Sequence, residues 1–523
     1  MFKALCTILA LAGTLEAQPS PRSAAILILK GEDTLVVERV RRTESAVTAS
    51  IAMRGQPQME MRYALGADHG ITSTEFSVRG AGAPADAAPV QQGSVRFVGD
   101  SALLDVRAGG ASRGMRLGTR AGAWPIVNND FVLAEQLVRV ARARGVRTLT
   151  VPLFSLAGGM TIDGTLELVG ADSARFRVAN NVTELAVDAA GNVTGGGIPA
   201  QGLRVVVVTG ADAARISLGR PDYSAPAGAP YTAEEVTVRT PAGHVLTGTL
   251  TRPVTSALVP AVVTITGSGA QDRDEYIPVT GGFRLFRQVA DTLGRRGIAV
   301  LRLDDRGING SGGDVNGTSA DFADDIRAAV AFLRARPDID GARIALVGHS
   351  EGGMIAPMVA RDDAALAAIV LMAGPAYTGR AIIDYQLANG VRGDTSIAPA
   401  KRDSAAAALK AQFDSTTAKQ PWMRFFLAYD PIPTARRVKQ PVLILHGATD
   451  QQVRPEEATK LAEALKAGGN TRVTTRIFPD RNHLFLRDPD GHPSGYAKLA
   501  QNRIDGEVMG ALADWLATTL RAP

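Results

Sequence analysis

The feature of this sequence that most constrains its fold is an alternation of apolar runs and helical patterns in the second half. The apolar runs have the composition of strands that are buried on both faces, and they lie at 261–266, 298–303, 344–347, 368–372, 442–445 and 473–478. Helical candidates alternate with them, at 283–294, 320–335, 352–361, 455–467 and 495–519. Buried strands connected through helices are typical of a mostly parallel, doubly wound sheet in an α/β fold.

The rest of the chain follows other patterns, which indicate a second domain and an insertion. A chain of 523 residues is too long for one compact core. Residues 24–220 contain short alternating runs and one helical pattern at 129–143, so we expect an antiparallel β-rich domain of unknown role packed against a helix. The stretch 222–230 suits a linker, after which the second domain covers 231–523. Within it, residues 376–436 are helix-prone and lack a strand pattern, which predicts a helical cap inserted between two strands.

The N-terminus has the pattern of a secretory signal. Lys3 precedes a short apolar run, and Ala17 ends a segment that suits a cleavage site. We therefore expect residues 1–17 to be a signal peptide and the mature protein to be exported to the periplasm or the medium; a buried N-terminal segment is the alternative. The only cysteine, Cys6, lies inside this segment, so the mature chain would form neither a disulfide nor a thiolate metal site.

Composition and motifs argue against several other classes of protein. The net charge of +5 is small for this length, and basic residues alternate with acidic ones, so we expect no nucleic-acid partner. No segment after the signal is long and apolar enough to predict a stable membrane span. The sequence contains no nucleotide-binding glycine motif that opens a helix and no His-Glu-x-x-His pair, so we expect neither a cofactor nor a metal.

A serine flanked by glycines lies where the strand at 344–347 meets the next helix. The segment is Gly348-His349-Ser350-Glu351-Gly352, and a sharp strand-to-helix turn needs glycine on both sides because its backbone is crowded. Such a turn lifts the hydroxyl out of the sheet and places it near a helix N-terminus, which makes Ser350 the candidate nucleophile. The same pattern occurs at 110–114, but no helix follows it there, so we interpret Ser112 as a turn serine.

Five stretches of the second half occur in the order found in one enzyme superfamily. They lie at 267–275, 304–307, 348–353, 446–450 and 482–483. Through them, residues from about 231 to 520 resemble the α/β-hydrolase superfamily, most closely its bacterial esterase and serine-aminopeptidase-like branch. The resemblance implies the α/β-hydrolase fold and a triad in the order Ser, Asp, His. It does not cover the first half of the chain.

A serine hydroxyl needs a base within hydrogen-bond reach, and the base needs an orienting carboxylate. The resemblance implies His483 as the base, because it follows the last predicted strand after a short loop. His492, in a turn that looks solvated, is the alternative. Asp450 follows the strand at 442–445 and matches the family's acid position; a helix N-cap or turn aspartate is the alternative. His446 ends the same strand, and we expect it to pack or to form a hydrogen bond there.

The tetrahedral intermediate of acyl transfer needs hydrogen-bond donors that point at its oxyanion. One expected donor is the backbone N–H of Glu351. The resemblance implies the N–H of Ser268, in the turn after the strand at 261–266, as the second donor; a plain glycine turn is the alternative. Thr266 stands where many relatives have histidine, and this departure leaves the backbone donor in place.

Two charged stretches near the predicted site are expected to be structural. Residues 304–307, Asp-Asp-Arg-Gly, follow a strand and predict a salt-bridged turn. For residues 272–275, Asp-Arg-Asp-Glu, a solvated charged loop is favoured over a lining of the site entrance.

These residues predict acyl transfer to water by a serine hydrolase that acts on a small-molecule ester or peptide. A carboxylic ester hydrolase is the leading hypothesis, and a serine peptidase or aminopeptidase with the same triad is the alternative. The cap contains aromatic residues that either favour an apolar acyl group or only pack the cap onto the sheet: Tyr385, Trp422, Phe425 and Phe426. A non-enzymatic alternative is a β-rich binding module carried on a retained hydrolase scaffold.

Overall fold

The structure is a computed structural model of the chain. It describes residues 22–31, 33–53, 56–80, 87–128, 130–156, 159–179, 181–218, 221–394, 397–415 and 417–521. The predicted signal peptide, residues 1–17, lies outside the described residues.

The first half of the chain consists of fifteen strands and one helix among the described residues. The strands are β1 (Arg22–Lys30), β2 (Asp33–Arg42), β3 (Ala46–Met53), β4 (Gln58–Leu65), β5 (Ile71–Arg79), β6 (Gln91–Val98), β7 (Ser101–Ala108), β8 (Ala111–Gly118), β9 (Trp124–Ile126), β10 (Thr148–Ser155), β11 (Thr161–Leu168), β12 (Ser173–Val178), β13 (Asn181–Val187), β14 (Val193–Ile198) and β15 (Leu203–Thr209). The helix is α1 (Phe131–Ala143), between β9 and β10.

These strands form a single sheet in which neighbours along the chain are mostly neighbours in space. The order is β8-β7-β6-β5-β4-β3-β2-β1-β15-β14-β13-β12-β11-β10-β9. All pairs are antiparallel except β9 with β10. Helix α1 covers one face, because its apolar stripe, with Leu133 and Leu137, is fully buried against the strands. The predicted β-rich region with a packed helix is confirmed; Ser112 lies in strand β8 rather than in a turn.

The second half of the chain contains ten strands and nine helices among the described residues. The strands are β16 (Tyr231–Arg239), β17 (Val245–Pro253), β18 (Val259–Ile265), β19 (Tyr276–Ile277), β20 (Phe283–Arg284), β21 (Ala299–Leu303), β22 (Ile339–His349), β23 (Ala368–Met372), β24 (Val442–Gly447) and β25 (Val473–Phe478). The helices are α2 (Leu285–Arg295), α3 (Ser319–Arg334), α4 (Glu351–Ala360), α5 (Gly379–Gly393), α6 (Arg402–Ser415), α7 (Pro421–Ala428), α8 (Pro431–Ala435), α9 (Glu456–Ala467) and α10 (Gly506–Thr519).

Eight of these strands form the predicted mixed sheet, in the order β16-β17-β21-β18-β22-β23-β24-β25. The β16–β17 hairpin is an antiparallel edge, and the pairs from β21 to β25 are parallel. Consecutive residues of the central strand β18 enter different cores: Val262 belongs to one apolar cluster and Val263 to another. Both faces are therefore covered, which explains the continuous apolar runs of the sequence.

The predicted cap is present as helices α5 to α8, between β23 and β24. The predicted single helix at 495–519 is wrong. A 3-10 turn at Pro493–Lys498 comes first, and α10 begins only at Gly506. The side chain of Asp505 accepts a hydrogen bond from the N–H of Glu507, so a local cap fixes the helix start inside a stretch whose composition is helical throughout. Within the described parts of the chain, no helix has both the length and the apolar composition needed to cross a membrane.

The two sheets are connected through side chains as well as through the predicted linker. Lys30 Nζ, on β1, donates a hydrogen bond of 2.7 Å to the carbonyl of Ala497. In the linker, Tyr223 lies under the guanidinium of Arg273, which is 4.2 Å from the ring centroid, and its hydroxyl donates to Asp272. The linker is therefore anchored to the second half. The domain limits of 24–220 and 231–523 stay predictions.

Candidate active site

Ser350 occupies a sharp turn between the end of β22 and the start of α4. Its backbone has φ 53° and ψ −119°, in a region that residues with a side chain rarely adopt. The N–H of Ser350 donates to the carbonyl of Met372, at the end of the neighbouring strand β23, over 2.9 Å. The strained turn is thus fixed by the sheet itself, as the glycine pattern predicts.

The glycines around Ser350 allow three backbone segments to approach closely. A Cβ atom at Gly348 would lie 2.0 Å from the carbonyl oxygen of Gly352. A Cβ atom at Gly352 would lie 2.1 Å from the carbonyl oxygen of Ile265, in the strand that leads to the predicted oxyanion turn. Neither position can hold a side chain without movement of the backbone, so both glycines are required by packing rather than by flexibility.

His483 and Asp450 lie together, as the resemblance implies. His483 Nδ1 is 2.7 Å from Asp450 Oδ2, and both side chains are buried. The other carboxylate oxygen of Asp450 accepts hydrogen bonds from the N–H groups of Gln452 and Val453. Burial alone would raise the pKa of Asp450, but its electrostatic attraction to His483 and its hydrogen bonds with His446 and His483 hold that pKa well below its usual range. Asp450 is therefore ionised and accepts a hydrogen bond from the Nδ1–H group of His483.

His446 and His492, the two other histidines of this region, have different hydrogen-bond partners. His446 is fully buried; its Nε2 lies 2.9 Å from the carbonyl of Val453 and 3.4 Å from Asp450 Oδ2. It supports the acid and does not line the cavity that contains Ser350. His492 pairs its Nδ1 with Ser494 Oγ at 2.7 Å and its Nε2 with the carbonyl of Asn389 at 3.3 Å. The structure therefore brings His483, and not His492, to the candidate site.

The two residues expected to supply oxyanion donors, Glu351 and Ser268, line the same cavity as Ser350. The N–H of Glu351 is the first of helix α4, and the first N–H groups of a helix have no acceptor within the helix. In the turn after β18, the N–H of Gly267 already donates to Glu275 Oε1 over 3.1 Å. Ser268 is the next residue, and it lines the same cavity as Ser350. Of these two neighbours, Ser268 is the one whose N–H is not used by Glu275.

A cavity of about 600 Å³ contains these groups. Ser350, His483, Ser268 and Glu351 all line it. The cap supplies another wall with Ile382, Trp422 and Phe426.

Not all of the aromatic cap residues singled out in the sequence face this cavity. Tyr385 lies under the guanidinium of Arg454, at 4.9 Å, and Phe425 stacks on Tyr429 with ring centroids 5.6 Å apart. Neither is among the residues that line the cavity, so two of the four aromatics face the site and two pack the cap.

The cap is tied directly to the nucleophile turn. Trp422 Nε1 donates to Glu351 Oε1 over 3.0 Å, and Ser319 Oγ donates to the same oxygen over 2.6 Å. Burial raises the pKa of Glu351, against the effect of these hydrogen bonds. The residue after the nucleophile therefore orients the wall of the pocket through its side chain.

The expectation of a solvated loop at residues 272–275 is wrong, because all four side chains are buried. Arg273 Nη2 lies 2.6 Å from Asp304 Oδ2, and Asp274 pairs with Arg302. Arg302 lies inside the apolar strand β21, and a buried cation must be paired. An arginine inside a buried-strand pattern needs a buried acidic partner, and this requirement is the sequence feature that points to the acidic segment at 272–275. The predicted salt-bridged turn at 304–307 agrees with the Arg273–Asp304 pair and with the contact of Arg306 Nε to Asp325 at 2.8 Å.

The last residue of this segment, Glu275, is a functional candidate that no sequence pattern indicated. Its Oε1 lies 2.7 Å from His349 Nδ1, and His349 Nε2 lies 3.0 Å from the backbone carbonyl of His483. Together with the hydrogen bond from Gly267, this network joins three loops. We name the set Gly267, Glu275, His349 and His483 the loop-tying network.

Comparison with known proteins identifies the second half of the chain. Residues 267–492 match the sequence profile of the alpha/beta hydrolase family. This half of the chain is similar to the α/β-hydrolase superfamily in both sequence and fold. Its predicted fold is confirmed, and the protein is a hydrolase. Among the described residues, no group of three or more His, Cys, Asp or Glu side chains is arranged to hold a metal ion.

Relatives of this α/β hydrolase include esterases and peptidases. The chain is 27% identical over 307 residues to esterase EstD of Thermotoga maritima, which covers 57% of this chain and 69% of the esterase. It is 28% identical over 239 residues to dipeptidyl aminopeptidase BIII of Pseudoxanthomonas mexicana, which covers 44% of this chain but only 31% of the peptidase. Among solved structures, an esterase of Pyrococcus furiosus matches with a TM-score of 0.39 and 19% identity, over 51% of this chain and 88% of that one.

Proposed function

We propose that this α/β hydrolase is a serine hydrolase that cleaves carboxylic esters through an acyl-enzyme on Ser350. The observation that carries the proposal is that Ser350 and His483 line one cavity while His483 Nδ1 is 2.7 Å from a buried, ionised Asp450. A hydroxyl, an imidazole and a carboxylate in this relation are the set that acyl transfer requires.

The first half of the reaction forms the acyl-enzyme. Because Nδ1 of His483 donates to Asp450, its Nε2 is the basic nitrogen and takes the hydroxyl proton of Ser350 as the oxygen attacks the ester carbonyl. The carbonyl electrons move onto the oxyanion, which the N–H groups of Glu351 and Ser268 stabilise. The carbon–oxygen bond to the alcohol then breaks, and Nε2 gives its proton to the alcohol that leaves.

The second half releases the acid. Water gives a proton to Nε2 of His483 and attacks the acyl carbon, through a second oxyanion in the same donors. When the bond to Ser350 breaks, the proton returns from Nε2 to the serine oxygen. The enzyme is regenerated, and the products are one alcohol and one carboxylic acid.

Two observations favour an ester over a peptide. The similarity to the esterase spans a larger share of both chains than the similarity to the aminopeptidase does. The cap wall of the cavity is formed by apolar side chains, Ile382, Trp422 and Phe426, which suit an apolar acyl group. A peptidase that uses the same residues is the second candidate, and it rests on the aminopeptidase relative.

A matched pair of substrates tests this proposal. We expect p-nitrophenyl butyrate to be hydrolysed and amino-acid p-nitroanilides to be turned over at least about a hundredfold more slowly. Ser350→Ala should abolish ester turnover, whereas Ser112→Ala, in the other copy of the glycine motif, should leave it unchanged. Strong anilide turnover with negligible ester turnover would replace the esterase by the peptidase, and no turnover of either would favour the binding module.

We also propose that the protein is exported after removal of residues 1–17. A basic residue, a short apolar run and a small residue at the cut support this. Sequencing of the N-terminus after expression of the full chain in a Gram-negative host should give a periplasmic protein that begins at Gln18. A cytoplasmic protein that retains Met1 would contradict export.

A further inference from the structure

A second cavity, of about 330 Å³, lies between the N-terminal sheet and the hydrolase half. Its volume is within the range of small-molecule sites, about 300–1,000 Å³. Strands β1, β2, β3 and β15 supply its apolar side chains Ile28, Leu35, Val36, Met53 and Leu203, and its polar lining residues are Lys30, Gln56, Asn128 and Gln201. We name it the interdomain cleft.

The interdomain cleft adjoins the active-site cavity. Gln56, from the N-terminal half, and Pro278, from the hydrolase half, line both spaces. Tyr496 also lines the active-site cavity, and its neighbour in the chain, Ala497, lines the cleft. A substrate chain that runs from the active-site cavity along Gln56 and Pro278 would reach the cleft.

Contacts between the two halves hold the cleft in place. The Lys30 ammonium, at one end of the cleft, donates to the carbonyl of Ala497 over 2.7 Å. Burial lowers the pKa of Lys30. Its hydrogen bond to Ala497 joins the N-terminal sheet to the hydrolase half. The lysine therefore acts as a bridge between the walls, and the side chains that remain to contact a ligand are mainly apolar.

We propose that the interdomain cleft binds the alkyl part of the substrate's acyl group. The proposal rests on the proposed ester hydrolysis at Ser350 and extends it, because it names the substrate class as esters of medium-length to long fatty acids. It also gives the N-terminal β-rich half a role in substrate recognition.

The acyl chain fits this position better than the alcohol does. The alcohol must leave the active site before water can attack the acyl-enzyme, whereas the acyl chain stays bound through both halves of the reaction. An apolar cleft lined by both halves of the protein would hold an alkyl chain in place. Only the acyl chain needs to be held in this way, since the alcohol must leave. Each further methylene that the cleft buries is worth about a fourfold gain in kcat/KM.

The test is the acyl-length profile of variants that fill the cleft. In the wild type, kcat/KM for p-nitrophenyl esters should rise from acetate to at least decanoate. Met53→Trp places an indole in the cleft and should lower kcat/KM for the decanoate ester at least tenfold while leaving that for the acetate ester within twofold. Leu203→Trp, from strand β15, should have the same effect and serves as a second variant if the first one does not fold.

Met59→Trp is the matched control, because Met59 is also a half-buried methionine of the N-terminal sheet but does not line the cleft. It should leave the whole profile unchanged. A second series, acetate esters of alcohols of increasing length, should be insensitive to Met53→Trp.

The outcomes separate the two proposals. If the wild type hydrolyses no ester, the proposed function fails and the acyl subsite with it. If esters are hydrolysed but both filling variants keep the wild-type acyl-length profile, the subsite alone is overturned. A loss confined to the alcohol series would also overturn it, because the cleft would then bind the leaving group.

Discussion

At the scale of single residues, the loop-tying network shows how a buried charge pair can position a catalytic site. Both ring nitrogens of His349 face acceptors, a carboxylate oxygen of Glu275 and the carbonyl of His483. Because each acceptor needs an N–H donor, both ring nitrogens of His349 carry a proton and the imidazole is positively charged. Burial opposes this charge, but the attraction of Glu275 outweighs it and raises the pKa of His349.

This arrangement predicts a positioning role for Glu275. Glu275→Gln removes the negative charge that holds the protonated His349, so the oxyanion turn and the His483 loop lose their common anchor. A displacement of catalytic groups by about 1 Å can cost about a hundredfold in rate. We expect kcat for a short ester to fall by roughly ten- to a hundredfold, with KM within threefold of the wild-type value, in steady-state kinetics.

Glu234→Gln is the control for this experiment. Glu234 lies on strand β16, where it is half-exposed and pairs with Arg336. It should change neither constant. If Glu275→Gln raises KM and leaves kcat intact, Glu275 contacts the substrate and does not position the catalytic loops.

The sequence predicted some of these residues and missed others for a physical reason. Ser350 stands in a local pattern, since the glycines that its turn requires lie within two residues of it. Glu275 carries no such mark, because its partner His349 is 74 residues away and its burial depends on the whole sheet. The run of four charged residues at 272–275 has the composition of a solvated loop. Only the buried cation of Arg302, which needs an acidic partner, indicates otherwise.

At the scale of elements, the turn between β22 and α4 depends on close contact of backbones. The Cβ atom that Gly348 lacks would come within 2.0 Å of another backbone oxygen, and no rotamer change relieves a clash with backbone. The turn also fixes Ser350 in a strained conformation, so the surrounding packing must hold it there.

We therefore predict that Gly348→Ala is severely destabilising. The free energy of unfolding should fall by roughly 3 kcal/mol or more, measured by urea denaturation, because the loss arises from a backbone clash in a buried turn. Gly510→Ala is the matched control: Gly510 lies within helix α10 with open space around it, so the same substitution should stabilise the protein by up to about 1 kcal/mol. Equal stability of Gly348→Ala and the wild type would contradict the geometry of the turn.

The strands of the hydrolase half were predictable because they are buried on both faces and therefore lack any polar alternation. The end of the chain was harder, since residues 495–505 have a helical composition yet leave the helix. Ile504 is buried, and the N–H of Asp505 donates to the carbonyl of Phe485, in the loop of the catalytic histidine candidate. This contact with a loop twenty residues earlier in the chain keeps the segment before α10 out of the helix, and no local sequence pattern predicts it.

At the scale of the whole molecule, the parallel part of the sheet explains why distant residues meet. Ser268, Ser350, Asp450 and His483 follow strands β18, β22, β24 and β25, which lie side by side or one strand apart. The carboxyl ends of parallel strands share one edge, and ligands bind in the crevice outside that edge. This convergence was predictable from the order of the motifs once the sheet was known to be parallel.

The interdomain cleft was not predictable in this way. Its walls include Gln56, between strands β3 and β4, and Pro278, in a 3-10 turn of the hydrolase half more than two hundred residues later. Neither the alternation of the N-terminal strands nor the hydrolase motifs determines how one sheet is placed on the other. Only the packed molecule shows that the first half contributes Gln56 to the lining of the active-site cavity.

The central claim is that Ser350, His483 and Asp450 act as one unit, and covalent labelling tests it most directly. The protein is treated with a fluorophosphonate, digested with trypsin and analysed by mass spectrometry. We predict one adduct, on the peptide of residues 344–361, in which Ser350 is the only serine, and labelling slower by about 10⁴-fold in Asp450→Asn. An adduct on any other serine, or wild-type rates of labelling in both Asp450→Asn and His483→Ala, would contradict the account.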